Sequence, residues 1–315
     1  MWTAITLGTL IAAGVAAYVA WAAYAIARGA ALWPFVLGLP LTYLAVPFFF
    51  TCAWVTMGWW MRAPRPEDVV LGWRQRVRLF GGEFAALAKS PPKMIFYRWL
   101  VRDPAPAPAR LPVLLVHGVG CNAGVFTGMK RYLDAQGLGP VYAISYGPPL
   151  ASGELFAEQI ADKITAIHAA TGAAQVVLVA HSMGGVVSLA YLRRYGGARV
   201  RRLIAIATPF HGSRHAYMMF GKSLQDLRPG SRFLSAIDEP ASFTRNVPVV
   251  SIWSWHDSMV TPQTSSHLDW AENIAIAGVA HNAMLADRGV WTRVADEIRK
   301  ARLHGQRVTP STAKG

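Results

Sequence analysis

The first sixty-one residues hold a single charged side chain, Arg28. No Asp, Glu, Lys or Arg occurs from Met1 to Ala27 or from Gly29 to Met61. A helix that crosses a bilayer takes roughly 20 mainly apolar residues, so each run is long enough to span. A cleaved signal sequence has a basic start and a shorter apolar core. Nothing basic precedes the first run, and it is longer than such a core. The expectation is therefore a two-helix transmembrane hairpin over residues 1–61, turning between Arg28 and Pro34. Gly8, Ala12, Gly14, Ala16 and Ala20 give the first helix a surface that another helix can approach closely. Pro34, Pro40 and Pro47 predict that the second helix bends or starts late. Trp54, Trp59 and Trp60 suit a membrane interface.

The bulk figures reflect this segment: the chain of 315 residues is 53% hydrophobic. The remainder is basic, and the formal net charge is +14. Arg62, Arg65, Arg74, Arg76 and Arg78 come after the second run, whereas the turn has only Arg28. The positive-inside rule then puts both ends of the hairpin, and the rest of the chain with them, in the cytoplasm. No nucleic-acid-binding motif accompanies the charge, so no nucleic-acid partner is expected. An anionic membrane surface is the simpler partner, and ordinary surface charge is the alternative. The two cysteines, Cys52 and Cys121, make neither a metal set nor a disulfide framework.

Residues 62–110 read as a basic amphipathic segment, an edge strand and a linker. Val69, Val70, Trp73, Val77, Phe80, Phe84 and Leu87 form the apolar side over Glu67 to Lys89. Gly81-Gly82 is expected to break this helix and Ser90-Pro91-Pro92 to stop it. Met94 to Val101 reads as the edge strand. Asp103 to Arg110 alternates Pro and Ala, the composition of a turn or stiff linker.

From residue 111 to 304, short apolar runs alternate with helical patterns. Strands are expected at Leu111–Val116, Val141–Ser145, Val176–Ala180, Leu203–Ala207, Val247–Trp253 and Ile274–Val279. Helices are expected at Lys130–Gln136, Leu155–Ala170, Gly185–Tyr195 and Asp287–Arg302. Such alternation predicts an α/β domain with a mostly parallel sheet covered on both faces. Residues 214–245 form a long apolar connection, readable as a cap or as packing on the sheet. Residues 305–315 read as a tail.

Within this frame, Ala180-His181-Ser182-Met183-Gly184-Gly185 lies between a strand and a helix. That is the context of the strained strand-to-helix turn that exposes a nucleophilic serine. Its first position is Ala180 instead of Gly, a departure that keeps the side chain small. The Met183 amide, at the helix N-terminus, can face a developing oxyanion. A serine needs a base, and in this arrangement an acid and then a histidine come later in chain order. Asp257 and His281 each fall just past a strand, on the same sheet edge as Ser182. Asp269 competes with Asp257 but lacks that placement. The second oxyanion donor is expected from His117-Gly118-Val119-Gly120, at the Val119 amide, with His117 structural. His181, His211, His256 and His267 are expected to be polar neighbours or surface residues.

Together these pieces resemble the bacterial lipases and esterases of the α/β-hydrolase superfamily. The resemblance rests on V-H-G-V-G, A-H-S-M-G-G, A-T-P-F-H-G-S at Ala207 to Ser213, H-D-S-M-V-T-P at His256 to Pro262, and G-V-A-H-N at Gly278 to Asn282. The Ala-first turn is similar to that of small triacylglycerol lipases, and the whole pattern to inositol-deacylase-like lipases of membranes. The resemblance covers Leu111 to Arg302 and excludes the hairpin. It implies an α/β-hydrolase fold and a Ser182–His281–Asp257 triad cleaving carboxylic esters through an acyl-enzyme. It implies no cofactor and no metal; Asp226, Asp238 and Asp257 are too scattered to argue for calcium. Met218 and Phe220 are expected to meet a lipid-like acyl group from the cap. A bacterial inner membrane is the expected location. The same site would serve an acyltransferase, thioesterase or amidase, and an inactive tethered binding scaffold is a rival of another class. The hairpin is expected to be detachable, with deletion of Met1 to Trp60 releasing an active domain.

Overall fold

The computed structural model describes residues 2–238 and 247–304. Helix α1 (Trp2–Ala27) and helix α2 (Trp33–Trp60) form the N-terminal pair, joined by a short turn at Arg28–Leu32. Pro34 falls in the first turn of α2, where its missing N–H costs nothing. The helix continues through Pro40 and Pro47. Most side chains of the pair are exposed, and only Ala22 in α1, and Thr51 and Gly58 in α2, are buried. A core helix of a water-soluble domain would bury its apolar face, and these do not.

Helix α3 (Trp73–Ile95) differs from expectation. It runs unbroken through Gly81-Gly82 and through Pro91-Pro92. Tertiary contacts offset the proline cost. Pro92 cannot donate to the Ala88 carbonyl, and the Tyr43 hydroxyl of α2 donates to it instead, at 2.6 Å. Ser90 Oγ donates to Ala86 O at 2.7 Å. The expected edge strand at Met94–Val101 is absent; these residues complete α3 and form the helical turn α4 (Tyr97–Leu100). A short apolar run cannot be assigned to strand or helix by periodicity alone. Here Met94 is held by a hydrogen bond from Asn122 Nδ2 to its carbonyl, 2.9 Å.

The elements that follow run in order as β1 (Val113–Val116), α5 (Thr127–Ala135), β2 (Val141–Ala143), α6 (Gly153–Thr171), β3 (Val176–His181), α7 (Met183–Tyr195) and β4 (Val200–Ile206). Then come α8 (Lys222–Asp226), α9 (Arg232–Asp238), β5 (Val249–Ser254), β6 (Glu272–Ile276) and α10 (Arg288–His304). The strands form one six-stranded sheet in the order β2-β1-β3-β4-β5-β6. All five pairings are parallel. The near-continuous apolar strands fit burial on both faces. One apolar layer includes Phe156, Ile160 and Ile164 of α6 with Val186 and Leu189 of α7. The other includes Met129 and Leu133 of α5 with Val290, Val294 and Ile298 of α10. The order reverses between β1 and β3, and the crevice outside the carboxyl ends of strands at such a switch point is where open α/β sheets hold ligands.

Candidate active site

Ser182 sits directly after β3 with φ 57° and ψ −129°, a conformation rarely adopted by a residue with a Cβ. Its amide donates to Ile206 O at 2.8 Å, and Gly185 N donates to its carbonyl at 3.0 Å. The turn closes only because its neighbours are small. A Cβ on Gly184 would run into the carbonyl oxygens of Val116 and His117, and one on Gly185 into Thr208. A Cβ on Gly118 would stand 2.8 Å from Ser182 Cβ. The β1 loop therefore passes against the serine, as an oxyanion-binding loop must.

Ser182 Oγ donates to His281 Nε2 at 3.0 Å. His281 Nδ1 faces both Asp257 carboxylate oxygens, at 3.0 and 2.9 Å. The three side chains are buried. Asp257 Oδ1 also accepts the Met259 and Val260 amides at 2.8 and 2.7 Å, which fixes the carboxylate. Burial disfavours the His281 imidazolium, but the Asp257 charge and hydrogen bond, aided by Glu83, outweigh it and raise the pKa above 6.5. With the Nδ1 proton held by Asp257, the Nε2 lone pair faces Ser182, the arrangement of a general base and its nucleophile.

Asp269 stands apart: it is fully exposed and pairs with His267 at 3.4 Å. Among the described residues, the amides of Val119 and Met183 have no hydrogen-bond acceptor. His117 Nδ1 donates to Gly118 O at 2.8 Å, and its ring stacks on Tyr146. Tyr146 in turn donates its hydroxyl to His117 O. Burial lowers His117 to about 4, so it stays neutral and braces the loop. His181 Nε2 donates to His281 O at 3.2 Å, steadying the base from below.

Met218 and Phe220 are not enclosed around the triad; they are 59% and 86% exposed. Of the 214–245 connection, Leu224, Leu227 and Leu234 are buried in the core. Residues 239–245 and the tail at 305–315 lie outside the described residues.

The sequence reading missed Glu83. It comes from α3, is completely buried, and joins the two loops that carry Asp257 and His281. It accepts from Ser258 Oγ at 2.9 Å, from Asn282 N and Nδ2 at 2.9 and 2.8 Å, and from Ala283 N at 3.0 Å. Burial raises its pKa, against the pull of these donors and of His281. A signal existed. Glu83 is the only acidic residue between Asp68 and Asp103, and it lies at helical spacing among Phe80, Phe84 and Leu87. A lone carboxyl on an apolar face needs buried donors. Gln263 was missed for the same reason. Its Nε2 donates to Gly58 O at 3.1 Å and Asp257 O at 2.9 Å, and its Oε1 accepts Ala63 N at 3.1 Å.

These contacts tie the N-terminal helices to the site. Gly58 of α2 packs so closely that a Cβ would meet the Ser258 and Asp257 backbone within about 3 Å. At the other side, Thr3 Oγ1 of α1 donates to Cys121 O at 3.2 Å. Helices α1 and α2 thus touch the loops that carry Cys121 and Asp257, contacts that the sequence did not lead one to expect of a detachable tether.

The strand order and the parallel sheet are those of the α/β-hydrolase fold. Residues 112–236 match the family model described as the alpha/beta hydrolase fold, and the chain has that fold. The mature lipase BlEst2 of Bacillus licheniformis is similar in structure, with a TM-score of 0.54 at 18% identity over 62% of this chain and 96% of that one. Lipase B of Aspergillus fumigatus is similar with a TM-score of 0.51 at 21% identity, over 60% of this chain but only 52% of its own.

Proposed function

We propose that this chain is a membrane-anchored serine hydrolase that cleaves lipid-like carboxylic esters. The observation that carries the reading is the continuous buried chain of hydrogen bonds from Ser182 through His281 to Asp257. Ser182 Oγ attacks the ester carbonyl carbon as His281 Nε2 takes its proton. The Val119 and Met183 amides hold the oxyanion. His281 then returns the proton to the leaving alkoxide as the ester C–O bond breaks. Water attacks the acyl-serine in the same way, releasing the acid and restoring Ser182. Each step needs only this chain's own groups and water. An intact chain of hydrogen bonds also favours a working site over an inactive scaffold.

Membrane placement is supported by the length and exposure of α1 and α2, 26 and 28 residues with mean hydropathy 1.9 and 1.8. Both the start of α1 and the end of α2 touch the catalytic loops, so a spanning hairpin has both ends on one side. The basic residues after α2 make that side the cytoplasm, here of a bacterial inner membrane. The proposed division is a hairpin at 1–61, a bracing segment at 62–110 and a hydrolase domain at 111–304.

A lipid-like substrate is supported by the contact of two long apolar helices with the loops beside the triad. The exposed Met218 and Phe220 are proposed to meet the acyl chain, Met being adaptable to varied apolar ligands. Each methylene buried contributes about 0.8 kcal/mol, so activity on p-nitrophenyl esters should rise from acetyl to medium or long chains. Polar substitution at Met218 or Phe220 should flatten the rise. The series is measured on detergent-solubilised full-length protein; a maximum at acetyl that ignores those substitutions removes the lipid reading.

The pH dependence tests the positioning role of Glu83. Neutral His281 is the base, so kcat/KM should rise with pH through a midpoint above 6.5, because the raised pKa keeps the ring protonated below it. Glu83→Gln removes a negative charge that favours the imidazolium, so the midpoint should move to lower pH. It also swaps an acceptor for a donor among four buried donors, costing about 1–3 kcal/mol of stability. A stability loss with an unmoved midpoint would leave Glu83 a purely structural brace.

A further inference from the structure

A cavity of about 600 Å³ opens where the end of α2, the start of α3 and the His256–Ser258 turn meet. It adjoins the triad only at Asp257, and neither Ser182 nor His281 lines it. Arg62, Arg65 and Arg76 line it. Among the described residues, none of these three guanidiniums pairs with a carboxylate. Glu67 and Asp68, the acidic residues nearest in sequence, form no such pair, and the Asp257 carboxylate is committed to His281. Burial, with the charges of Arg62 and Arg76, lowers Arg65 to about 10. The group of charges is thus mutually repulsive and uncompensated.

Two residues that line this cavity each hold a buried polar atom with no partner: Arg65 Nε and His256 Nε2. His256 is only 7% exposed. Its Nδ1 accepts the Gly278 amide at 3.1 Å, which leaves the proton of the neutral ring on Nε2. Nε2 is therefore a buried donor without an acceptor, a costly state in a finished core. Arg62 and Arg76 spend one N–H each on the backbone, at Trp59 O (2.8 Å) and Leu71 O (3.0 Å). These bonds hold the side chains in place and leave further N–H groups for a ligand.

Guanidinium forks match phosphate oxygens and bind them through paired, charge-assisted hydrogen bonds. The walls beside them are apolar, supplied by Val55 and Trp59 of α2 and by Leu71 and Leu79. A free inorganic anion would gain nothing from such walls. We propose that this cavity binds the phosphate group of an anionic lipid, with the lipid chains lying along the end of α2. The proposal rests on the membrane reading of α1 and α2, and not on the esterase reading. It places the phosphate at the end of a span, at headgroup depth.

The test uses full-length protein in nonionic detergent and ligands with no carboxylic ester, so that turnover plays no part. The probes are a short-chain dialkyl-ether phosphatidate, the same ether diglyceride lacking phosphate, and inorganic phosphate. Isothermal titration and ligand-dependent thermal unfolding are read for each. The ether phosphatidate should bind and raise Tm, with inorganic phosphate weaker by about tenfold or more. The phosphate-free diglyceride should do neither. The double variant Arg65→Gln/Arg76→Gln should lose about tenfold or more in affinity, while Arg74→Gln, outside the cavity, should bind as wild type does. The comparison among the three ligands on wild-type protein stands even if the double variant does not fold. Equal binding of the two ether lipids, equal affinity for inorganic phosphate, or undiminished binding by a folded double variant would each overturn the proposal.

Discussion

Ser182→Ala is expected to lower ester turnover by about three orders of magnitude or more, as removal of a triad nucleophile does, with the fold retained. The side chain lost makes one hydrogen bond, to His281 Nε2 at 3.0 Å, and is not a packing element of either core layer. Alanine keeps the small Cβ that already fits beside Gly118. What disappears is the atom that forms the acyl bond. Hydrolysis would then fall back on the oxyanion amides and on water activated by His281, which supply only residual acceleration. Turnover of a medium-chain ester, with circular dichroism as the check on folding, measures this. Near-normal turnover by folded Ser182→Ala would move the chemistry to another residue.

Asp257→Asn should be nearly as damaging, by about four orders of magnitude in kcat, and the reason is a tautomer. Asp257 Oδ1 accepts two backbone amides and one edge of His281 Nδ1. An asparagine oxygen would stay with those amides and present its NH₂ group to His281. Nδ1 must then accept, the proton moves to Nε2, and the ring can no longer take a proton from Ser182. Asp269→Asn serves as the control, since Asp269 is exposed and paired with His267; it should leave kcat unchanged. Damage by Asp269→Asn with tolerance of Asp257→Asn would reassign the acid.

The parts of the site legible in the sequence are those fixed by local geometry. Ser182 announces itself because a strand, a tight turn and a helix must succeed one another with small residues at set positions. Asp257 and His281 could be placed because parallel strands bring their carboxyl ends to one edge. The six strands were visible as apolar runs. What stayed hidden depends on distant packing. Nothing local shows that α3 survives Gly81-Gly82 and Pro91-Pro92, because the Tyr43 hydroxyl that takes the Ala88 carbonyl comes from another helix. Likewise the donors that make Glu83 tolerable in the interior lie about 200 residues away. The contact of Gly58 with the Ser258 backbone is equally remote in sequence.

Covalent labelling tests most directly whether Ser182 is the activated nucleophile. Full-length protein is treated with an alkyl fluorophosphonate and its peptides are mapped by mass spectrometry. The triad geometry predicts one adduct, on the peptide carrying Ser182, absent in Ser182→Ala and forming faster as pH rises through a midpoint above 6.5. Folded protein that remains unlabelled, or that carries the adduct on another residue, would contradict it.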